Sequence, residues 1–302
     1  MNKRKTIINF IKNYYIALRV LSLTLAFGAT SFGLVSAYRQ GLLFNNNVLY
    51  DWLLIILITI AGLASQAGAN LVNDYFEGSF KYVDPSTKRL KFLGKDRSYF
   101  DVFVFLSGIA ALGLAGLIGL YLIYITDWKM LVIGLVGLIG SYAYTGEPFV
   151  YKTKGLGVPL SFILMGPLMV LGAYYPFSKS LDLYPILIGL PTAFFVPALM
   201  ISNEMRDFKR DHRLSMGTLS VRIGSQKSLL LYDTLVFGAF ALTFIYVLLG
   251  IYPITALTAI VTLPIAFKGH NCVSKFERLS IPYTNKLHLS FTVIILISLI
   301  FT

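Results

Sequence analysis

The feature that most constrains this chain is a series of apolar runs, each about 17–25 residues long, separated by short polar clusters. A helix of that length crosses the ~30 Å hydrocarbon core of a bilayer. Most of these runs are apolar on every side, whereas a helix of a soluble protein carries a polar stripe. The sequence therefore predicts an all-α, polytopic membrane protein with the lipid bilayer as its surroundings.

The composition agrees with a membrane protein. Hydrophobic residues make up 56% of the chain, charged residues make up 13%, and the mean hydropathy is +0.72. Soluble domains usually carry about 25% charged residues. The single cysteine, Cys272, excludes an internal disulfide and a thiolate metal cage. Since no linker or soluble insert divides the chain, we expect one domain over residues 1–302.

The apolar runs predict nine membrane spans, of which the fourth and eighth are short and contain Gly or Pro. The spans lie near Tyr14–Tyr38, Trp52–Phe76, Val102–Ile125, Met130–Tyr144, Gly157–Phe177, Leu183–Met205, Ser228–Leu249, Ile254–Phe267 and Leu287–Phe301. With nine spans, the N-terminus and the loops after spans 2, 4, 6 and 8 share one side of the membrane.

The basic residues indicate the orientation of these spans. The five segments on the shared side hold 22 of the 26 Lys and Arg residues, and the others are Arg19, Arg39, Lys129 and Lys179. The positive-inside rule places the basic segments, including the N-terminus, in the cytoplasm. We expect the protein to lie in the plasma membrane. Topology and attraction to anionic lipids account for the net charge of +12. We expect no nucleic acid partner.

Two clusters of acidic and amide residues follow spans 2 and 6, both at predicted cytoplasmic helix ends. The first consists of Asn70, Asn73, Asp74 and Glu77, with Asp84 shortly after, and the second consists of Asn203, Asp207 and Asp211. The first four are spaced i, i+3, i+4, i+7 and the last three i, i+4, i+8. A helix therefore places each set on one face.

Aligned carboxylates near a helix C-terminus repel each other and are disfavoured by the helix dipole. A divalent cation reverses this penalty, and Mg²⁺ binds carboxylates together with water and substrate phosphates. Two such clusters with Mg²⁺ between them predict a diphosphate-binding site, where Arg206, Lys209 and Arg210 can neutralise further phosphate charge. The alternative is that these acids are solvated interface residues.

At this point the sequence resembles the UbiA superfamily of intramembrane prenyltransferases, and within it the MenA branch, the 1,4-dihydroxy-2-naphthoate prenyltransferases. The resemblance covers nearly the whole chain. It is carried by Asn73–Glu77, Asn203–Asp211, Gly217–Gly224, and Tyr144–Pro148 with Tyr151 and Gly155–Gly157. Three positions depart from the family pattern: Glu77 replaces an Asp, Lys81 replaces an acid that Asp84 can supply, and Met216 replaces a Lys.

The resemblance implies nine helices around a central cavity that opens laterally to lipid. It also implies transfer of an isoprenoid chain from a prenyl diphosphate to an aromatic acceptor with Mg²⁺ as cofactor. The implied metal ligands and catalytic residues are Asn73, Asp74, Glu77, Asp207 and Asp211. Substrate-binding candidates beside them are Asn70, Asn203, Arg206, Lys209 and Asp84.

Four further residues are substrate-binding candidates. Tyr142 and Tyr144 can face an allylic carbocation through cation–π attraction. Arg19 is a charge within the first span, where ionisable residues are often functional, although an Arg near a helix end can also reach the interface. Lys152 can hold an acceptor carboxylate or a phosphate.

Two alternative functions remain open from the sequence. Within the superfamily, the acceptor can be a lipid, a tetrapyrrole or another quinone precursor. A cation-coupled transporter also has a few aligned acids, but its sites lie near the bilayer midplane, often at broken helices. The acids of this chain lie at helix ends.

Overall fold

The computed structural model describes residues 3–77 and 89–302, and within these the side chains of 7–76 and 89–302. Glu77 ends a helix, and its side chain, Lys81 and Asp84 lie outside the described part. The helices are α1 Lys3–Leu18, α2 Leu23–Arg39, α3 Val48–Glu77, α4 Tyr99–Ile125, α5 Trp128–Ala143, α6 Gly157–Ile163, α7 Met169–Ser178, α8 Leu183–Ala193, α9 Phe195–Arg213, α10 Leu219–Ile223, α11 Ser225–Leu248, α12 Leu263–Ser274 and α13 Ser280–Phe301.

The described helices confirm the predicted fold class and the order of the spans. Eight helical segments are long and apolar enough to cross a membrane, and α5 is a ninth apolar helix of 16 residues. At 1.5 Å per residue α5 is about 24 Å long, so it is the shortest of the nine. Successive spans run in opposite directions, so the C-terminal ends of α3, α5, α9 and α12 lie at one end of the bundle. We call this end the polar end.

The first predicted span is wrong in one respect, because it is not a continuous helix. The chain breaks at Arg19, which has left-handed backbone angles (φ 51°, ψ 51°), and a short 3₁₀ turn, Val20–Ser22, leads into α2. Many large apolar side chains of α1 are exposed, Ile7, Ile11 and Ile16 among them. Arg19 itself is half-buried and lies at the junction of α1 and α2.

Two other spans contain irregular turns. Between α6 and α7 the chain forms one turn of π-helix, Leu164–Leu168, which contains Pro167. Proline removes a helical hydrogen bond, and the wider turn accommodates it. The eighth span begins as a 3₁₀-helix, Ile254–Thr262, and continues as α12. The predicted start of the last span is seven residues too late, since α13 begins at Ser280 rather than Leu287.

The loop after α3 contains an antiparallel hairpin that the sequence did not predict. Its strands are β1, Arg89–Phe92, and β2, Lys95–Ser98, with Leu90 opposite Arg97 and Phe92 opposite Lys95. The Phe92 ring packs against Tyr75 of α3 and Phe105 of α4. The hairpin therefore covers the polar end of these two helices.

Small residues allow the helices to approach closely. A Cβ atom at Gly33 of α2 would lie 2.3 Å from the Val170 carbonyl oxygen of α7. A Cβ atom at Gly68 of α3 would lie 2.9 Å from the Gly108 carbonyl oxygen of α4. Close backbone contact at small residues is typical of helix packing in membranes, where dispersion rather than hydrophobic burial holds helices together.

Candidate active site

Asn70, the first residue of the α3 cluster, is buried and holds the helix break at Arg19 in place. Its Nδ2 atom donates to the Leu18 carbonyl and to the Ser22 hydroxyl, both at 2.9 Å. Its Oδ1 atom accepts from Gln66 at 3.3 Å. The end of α1 leaves carbonyls without helical partners, and the Asn70 amide satisfies one of them.

Asn73 and Asp74 lie one turn further along α3 and are also buried, with 1% and 6% of their surfaces exposed. Both make polar interactions. The next residue, Tyr75, is fully buried against the ring of Phe105, at a centroid distance of 4.7 Å. The helical stripe therefore places its amide and carboxylate inside the protein rather than in solvent, contrary to the solvated-interface alternative.

The second cluster lies on the last turns of α9, as its spacing predicted. The guanidinium of Arg206 donates to Asp207, with Nε 2.8 Å from Oδ1. Arg210 bridges the two acids, because its Nη2 atom lies 3.2 Å from Asp207 and 2.8 Å from Asp211. Asp211 is only 2% exposed. These ion pairs fix the direction of both carboxylates.

Two further candidates near this cluster make contacts of their own. The Asn203 amide donates to the Leu199 carbonyl of its own helix at 3.0 Å. The Lys209 ammonium lies 5.8 Å from the ring centroid of Phe276, in the turn after α12. Lys209 is exposed, and its ammonium lies on the side of α9 that faces Phe276.

Glu204 is a residue that the sequence analysis did not single out. It is buried, and its Oε2 atom accepts the backbone N–H of Ser220 at 2.8 Å. Glu204 therefore ties α9 to the segment that contains α10. Its spacing to Asp207 and Asp211 is i, i+3 and i+7, so helix periodicity could have grouped it with these acids.

The loop between α5 and α6 packs against the α10 segment through two glycines. A Cβ atom at Gly155 would lie 2.6 Å from Cδ of Arg222, and one at Gly217 would lie 2.4 Å from the Thr153 carbonyl oxygen. The Arg222 guanidinium donates to the Gly217 carbonyl at 2.8 Å. The structure thus joins two of the sequence segments that carry the family resemblance.

Aromatic and basic side chains line the same loop. The Lys152 ammonium lies 5.6 Å from the ring centroid of Tyr144 and attracts the carboxylates of Glu204 and Asp211 electrostatically. The Tyr144 ring contacts Tyr151 at a centroid distance of 5.5 Å. Burial, with a smaller contribution from Tyr144, raises the pKa of Tyr151, which therefore stays neutral.

Tyr142 lies on the other side of this loop. Its ring is 6.4 Å from that of Phe76, and its hydroxyl donates to the Glu147 carbonyl at 3.3 Å. The side chain of Glu147 forms an ion pair with Lys95 of the hairpin. Tyr142 therefore lies where α3, the loop after α5 and the hairpin meet.

Arg97 of β2 is a second residue that the sequence analysis missed. Its side chain is 95% buried, and its guanidinium lies over the Tyr75 ring, with Cζ 4.8 Å from the centroid. Its Nε and Nη2 atoms have no hydrogen-bond partner among the described residues. Buried guanidinium nitrogens without an acceptor are costly, so these two nitrogens are suited to binding an anion. The signal could not be found without the hairpin.

A metal site is not assembled by the described side chains alone. Within residues 7–76 and 89–302, no three His, Cys, Asp or Glu side chains lie close enough to hold one ion. The donors that the two helices do present are carboxylate and amide oxygens from Asn73, Asp74, Asp207 and Asp211. This donor chemistry fits Mg²⁺, which prefers oxygen ligands and fills its remaining positions with water or phosphate.

An apolar cavity of about 450 Å³ lies between α2, α3, α4, α5 and α7. Its few polar residues include Gln66 of α3 and Ser141 of α5, and neither Tyr142 nor Tyr144 lines it. Because Gln66 donates to Asn70, the cavity begins one helical turn from the start of the α3 cluster. The expected cavity is therefore present, and it is nearly free of polar groups.

Asp233 and His270 form a separate pair away from these clusters. The Nδ1 atom of His270 in α12 lies 2.8 Å from Oδ1 of Asp233 in α11. This contact gives Asp233 the partner that the sequence did not reveal and connects the two helices.

Comparison with known proteins agrees with this architecture. A family model described as the UbiA prenyltransferase family matches residues 34–278. UbiA prenyltransferase domain-containing protein 1 from Rattus norvegicus is 32% identical over 234 residues, which cover 74% of this chain and 65% of that protein. The 1,4-dihydroxy-2-naphthoate octaprenyltransferase of Bacillus subtilis (strain 168) is 29% identical over 204 residues, 65% of this chain and 62% of that protein. The matches thus span slightly less than two thirds of these two relatives.

Solved structures show the same fold. The apo structure of a UbiA homolog from Aeropyrum pernix K1 has a TM-score of 0.64 and 13% identity, covering 92% of this chain and 96% of that chain. A UbiA homolog from Archaeoglobus fulgidus, bound to GPP and Mg²⁺, has a TM-score of 0.57 and 16% identity, covering 96% of this chain and 99% of that chain.

Fold and site together define a polytopic α-helical membrane protein with two helix-borne acidic clusters and an apolar cavity that begins next to the α3 cluster. The match to the family model extends over most of the chain. The chain belongs to the UbiA prenyltransferase family, which confirms the family predicted from its motifs.

Proposed function

We propose that this protein transfers an isoprenoid chain from a prenyl diphosphate to 1,4-dihydroxy-2-naphthoate, with Mg²⁺ as cofactor. One observation carries the proposal: the apolar cavity ends at Gln66, which is hydrogen-bonded to the first residue of the α3 cluster. A prenyl diphosphate matches this arrangement, because its long apolar tail suits the cavity and its charged head suits the polar cluster. A cation-coupled transporter would not need an apolar cavity of this kind beside its acids.

The diphosphate and the metal are assigned to the two clusters. Asn73, Asp74, Asp207 and Asp211 would hold Mg²⁺ together with Glu77, and Asp84, outside the described residues, stays a substrate-binding candidate. When bound, Mg²⁺ supplies positive charge that stabilises the leaving diphosphate. The donor chemistry supports this assignment, as does the A. fulgidus homolog bound to GPP and Mg²⁺.

Basic residues of the chain would bind the remaining phosphate oxygens. Arg206 and Arg210 already lie against the carboxylates of α9, and we assign Arg97 a phosphate oxygen because two of its nitrogens have no partner among the described residues. Arg19 and Lys209 remain weaker candidates. Arg19 lies at the break between α1 and α2, and Lys209 faces Phe276.

The reaction needs a dry site because its intermediate is an allylic cation. The C–O bond to the diphosphate breaks and its electron pair leaves with the oxygen. A ring carbon of the acceptor then forms the new C–C bond and the ring loses a proton. The rings of Tyr142 and Tyr144 can stabilise the cation, and Lys152, next to Tyr144, can pair with the acceptor carboxylate.

We choose this acceptor because two similar proteins are named 1,4-dihydroxy-2-naphthoate octaprenyltransferases. One is from B. subtilis, and the other, from Mycobacterium tuberculosis, is 27% identical to this chain. Other acceptors within the family form the second candidate, favoured by the similarity to UbiA prenyltransferase domain-containing protein 1. We assign the polar end to the cytoplasm because the basic residues concentrate there, and we assign the protein to the plasma membrane.

The test uses purified protein in detergent with a series of prenyl diphosphates and 1,4-dihydroxy-2-naphthoate, with Mg²⁺ or EDTA. We expect a prenylated product by mass only with Mg²⁺. Asp74→Asn and Asp207→Asn should abolish turnover while the protein remains folded by thermal unfolding. Arg213→Gln, an exposed change on the same helix, should retain turnover. Near-normal turnover in either Asp variant would contradict the metal assignment, and diphosphate binding without product would exclude this acceptor.

A further inference from the structure

The cavity has a long axis that runs parallel to α4 and α5. Its lining includes Gly113 through Ile123 of α4, which corresponds to about 15 Å at 1.5 Å per residue. The two helices run in opposite directions, and a Cβ atom at Gly116 would lie 3.6 Å from Leu138. Gly113 therefore lies at the level of Ser141 near the polar end, and Gly119 lies near the level of Gly134.

Glycines keep this space open from two sides. A Cβ atom at Gly113 or Gly119 of α4, or at Gly134 or Gly137 of α5, would meet no atom within 4 Å, and all four residues line the cavity. By contrast, a Cβ atom at Gly140 would lie 2.6 Å from Leu164. Close helix packing does not explain these four glycines, because an added Cβ would meet no atom. Each glycine nevertheless costs about 1 kcal/mol relative to alanine inside a helix.

The cavity is open on the side between α4 and α5. Leu117 and Leu120 of α4 belong to its lining but are 67% and 60% exposed, and Leu131 and Leu135 of α5 are also exposed. In a membrane-spanning bundle this side faces the acyl chains of the bilayer. An apolar chain can therefore enter the cavity sideways from lipid while its head stays at the polar end.

We infer that the isoprenoid chain of the substrate lies in this cavity, with its diphosphate end near Gln66, and that Gly119 and Gly134 determine how many isoprene units the protein accommodates. This inference rests on the proposed function. The wall at Gly113 contacts the first units, whereas only a longer chain reaches Gly119 and Gly134. A leucine at either outer position would fill the space that the distal units need.

The experiment compares chain-length profiles of matched variants. Wild-type protein, Gly113→Leu, Gly119→Leu and Gly134→Leu are assayed with dimethylallyl, geranyl, farnesyl and geranylgeranyl diphosphate. We expect Gly119→Leu and Gly134→Leu each to lower kcat/KM for the longest substrate about tenfold or more, and for the shortest by less than about twofold. Gly113→Leu should lower kcat/KM for every substrate longer than dimethylallyl diphosphate.

Ala110→Leu is the matched control, because Ala110 is an exposed residue of α4 outside the cavity lining. It places the same leucine side chain on the same helix and should leave the profile unchanged. Gly119 lies in α4 and Gly134 lies in α5. If one of the two variants fails to fold, the other still tests whether the cavity limits the chain length. Equal losses for all lengths in both variants, or a raised acceptor KM alone, would overturn the inference. If the wild type forms no product with any prenyl diphosphate, the proposed function fails instead.

Discussion

The Nε2 atom of Gln66 lies 3.3 Å from Oδ1 of Asn70, so a residue on the cavity wall is hydrogen-bonded to the first residue of the α3 cluster. The Asn70 amide in turn donates to the carbonyl of Leu18 at the break before α2. One chain of hydrogen bonds therefore connects the cavity, the acidic helix and the junction of the first two helices. A change at Asn70 is expected to affect all three.

Asn70→Ala should lower the free energy of unfolding by about 1–3 kcal/mol, because it removes the amide donor to the half-buried Leu18 carbonyl and one of the two amide donors to the Ser22 hydroxyl. Thermal unfolding in detergent measures the effect. The matched control is Asn203→Ala, since among the described residues the amide of Asn203 bonds to its own helix alone, at Leu199. Equal losses in the two variants would show that Asn70 does not hold the junction.

The break at Arg19 illustrates what the sequence could not reveal. Arg19 has left-handed backbone angles, but neither Gly nor Pro lies nearby to indicate an interruption. Tertiary hydrogen bonds from Asn70 stabilise the break. The sequence around Arg19 is as apolar as that of an uninterrupted span. Long apolar runs predict how many helices cross the membrane, because the bilayer sets their length. They do not predict where a helix is interrupted by a contact from another helix.

Arg97→Gln should weaken binding of inorganic pyrophosphate about tenfold or more, since a hydrogen bond to a charged group contributes about 1.5–3 kcal/mol. Isothermal titration calorimetry with Mg²⁺ present measures the affinity. Lys91→Gln removes the same charge from the exposed face of the same hairpin and should change the affinity by less than about twofold. A lower melting temperature with unchanged pyrophosphate affinity would show that Arg97 only packs on Tyr75.

Gly155→Ala should destabilise the contact between the loop after α5 and the α10 segment. Gly155 has a φ of +79°, and an added Cβ would lie 2.6 Å from Arg222. Gly41→Ala is the matched control: Gly41 has a φ of +67° but no atom within 4 Å of the added Cβ. Both variants incur backbone strain, so the additional fall in melting temperature for Gly155→Ala measures the clash. Equal falls would mean that Arg222 moves aside at no cost.

The candidate site was predictable where it depends on helix periodicity. The i, i+4, i+8 spacing of Asn203, Asp207 and Asp211 required only that α9 extend to Arg213, which it does. Burial and loop geometry were not predictable. Glu204 is buried by α10, and Arg97 is buried by a hairpin, so both depend on contacts between segments distant in sequence. Lys209 matched the phosphate-binding pattern by sequence proximity, yet it lies on the side of α9 that faces Phe276.

The last prediction concerns Asp127, between α4 and α5 at the end of the bundle opposite the acidic clusters. The Tyr175 hydroxyl lies 2.7 Å from both carboxylate oxygens. This hydrogen bond, with a further one from the Lys129 backbone, lowers the pKa of Asp127 below its ordinary value of 3.8.

A group with a lowered pKa stabilises the fold above its unfolded-state pKa, and this contribution is lost as the pH falls through the folded-state pKa. Asp127→Asn should therefore lower the melting temperature at neutral pH, and the difference from wild type should shrink as the pH drops below about 4. Tyr175→Phe removes the donor and should reduce the same pH dependence. A wild-type to Asp127→Asn difference that stays constant between neutral and acidic pH would contradict the assigned interaction.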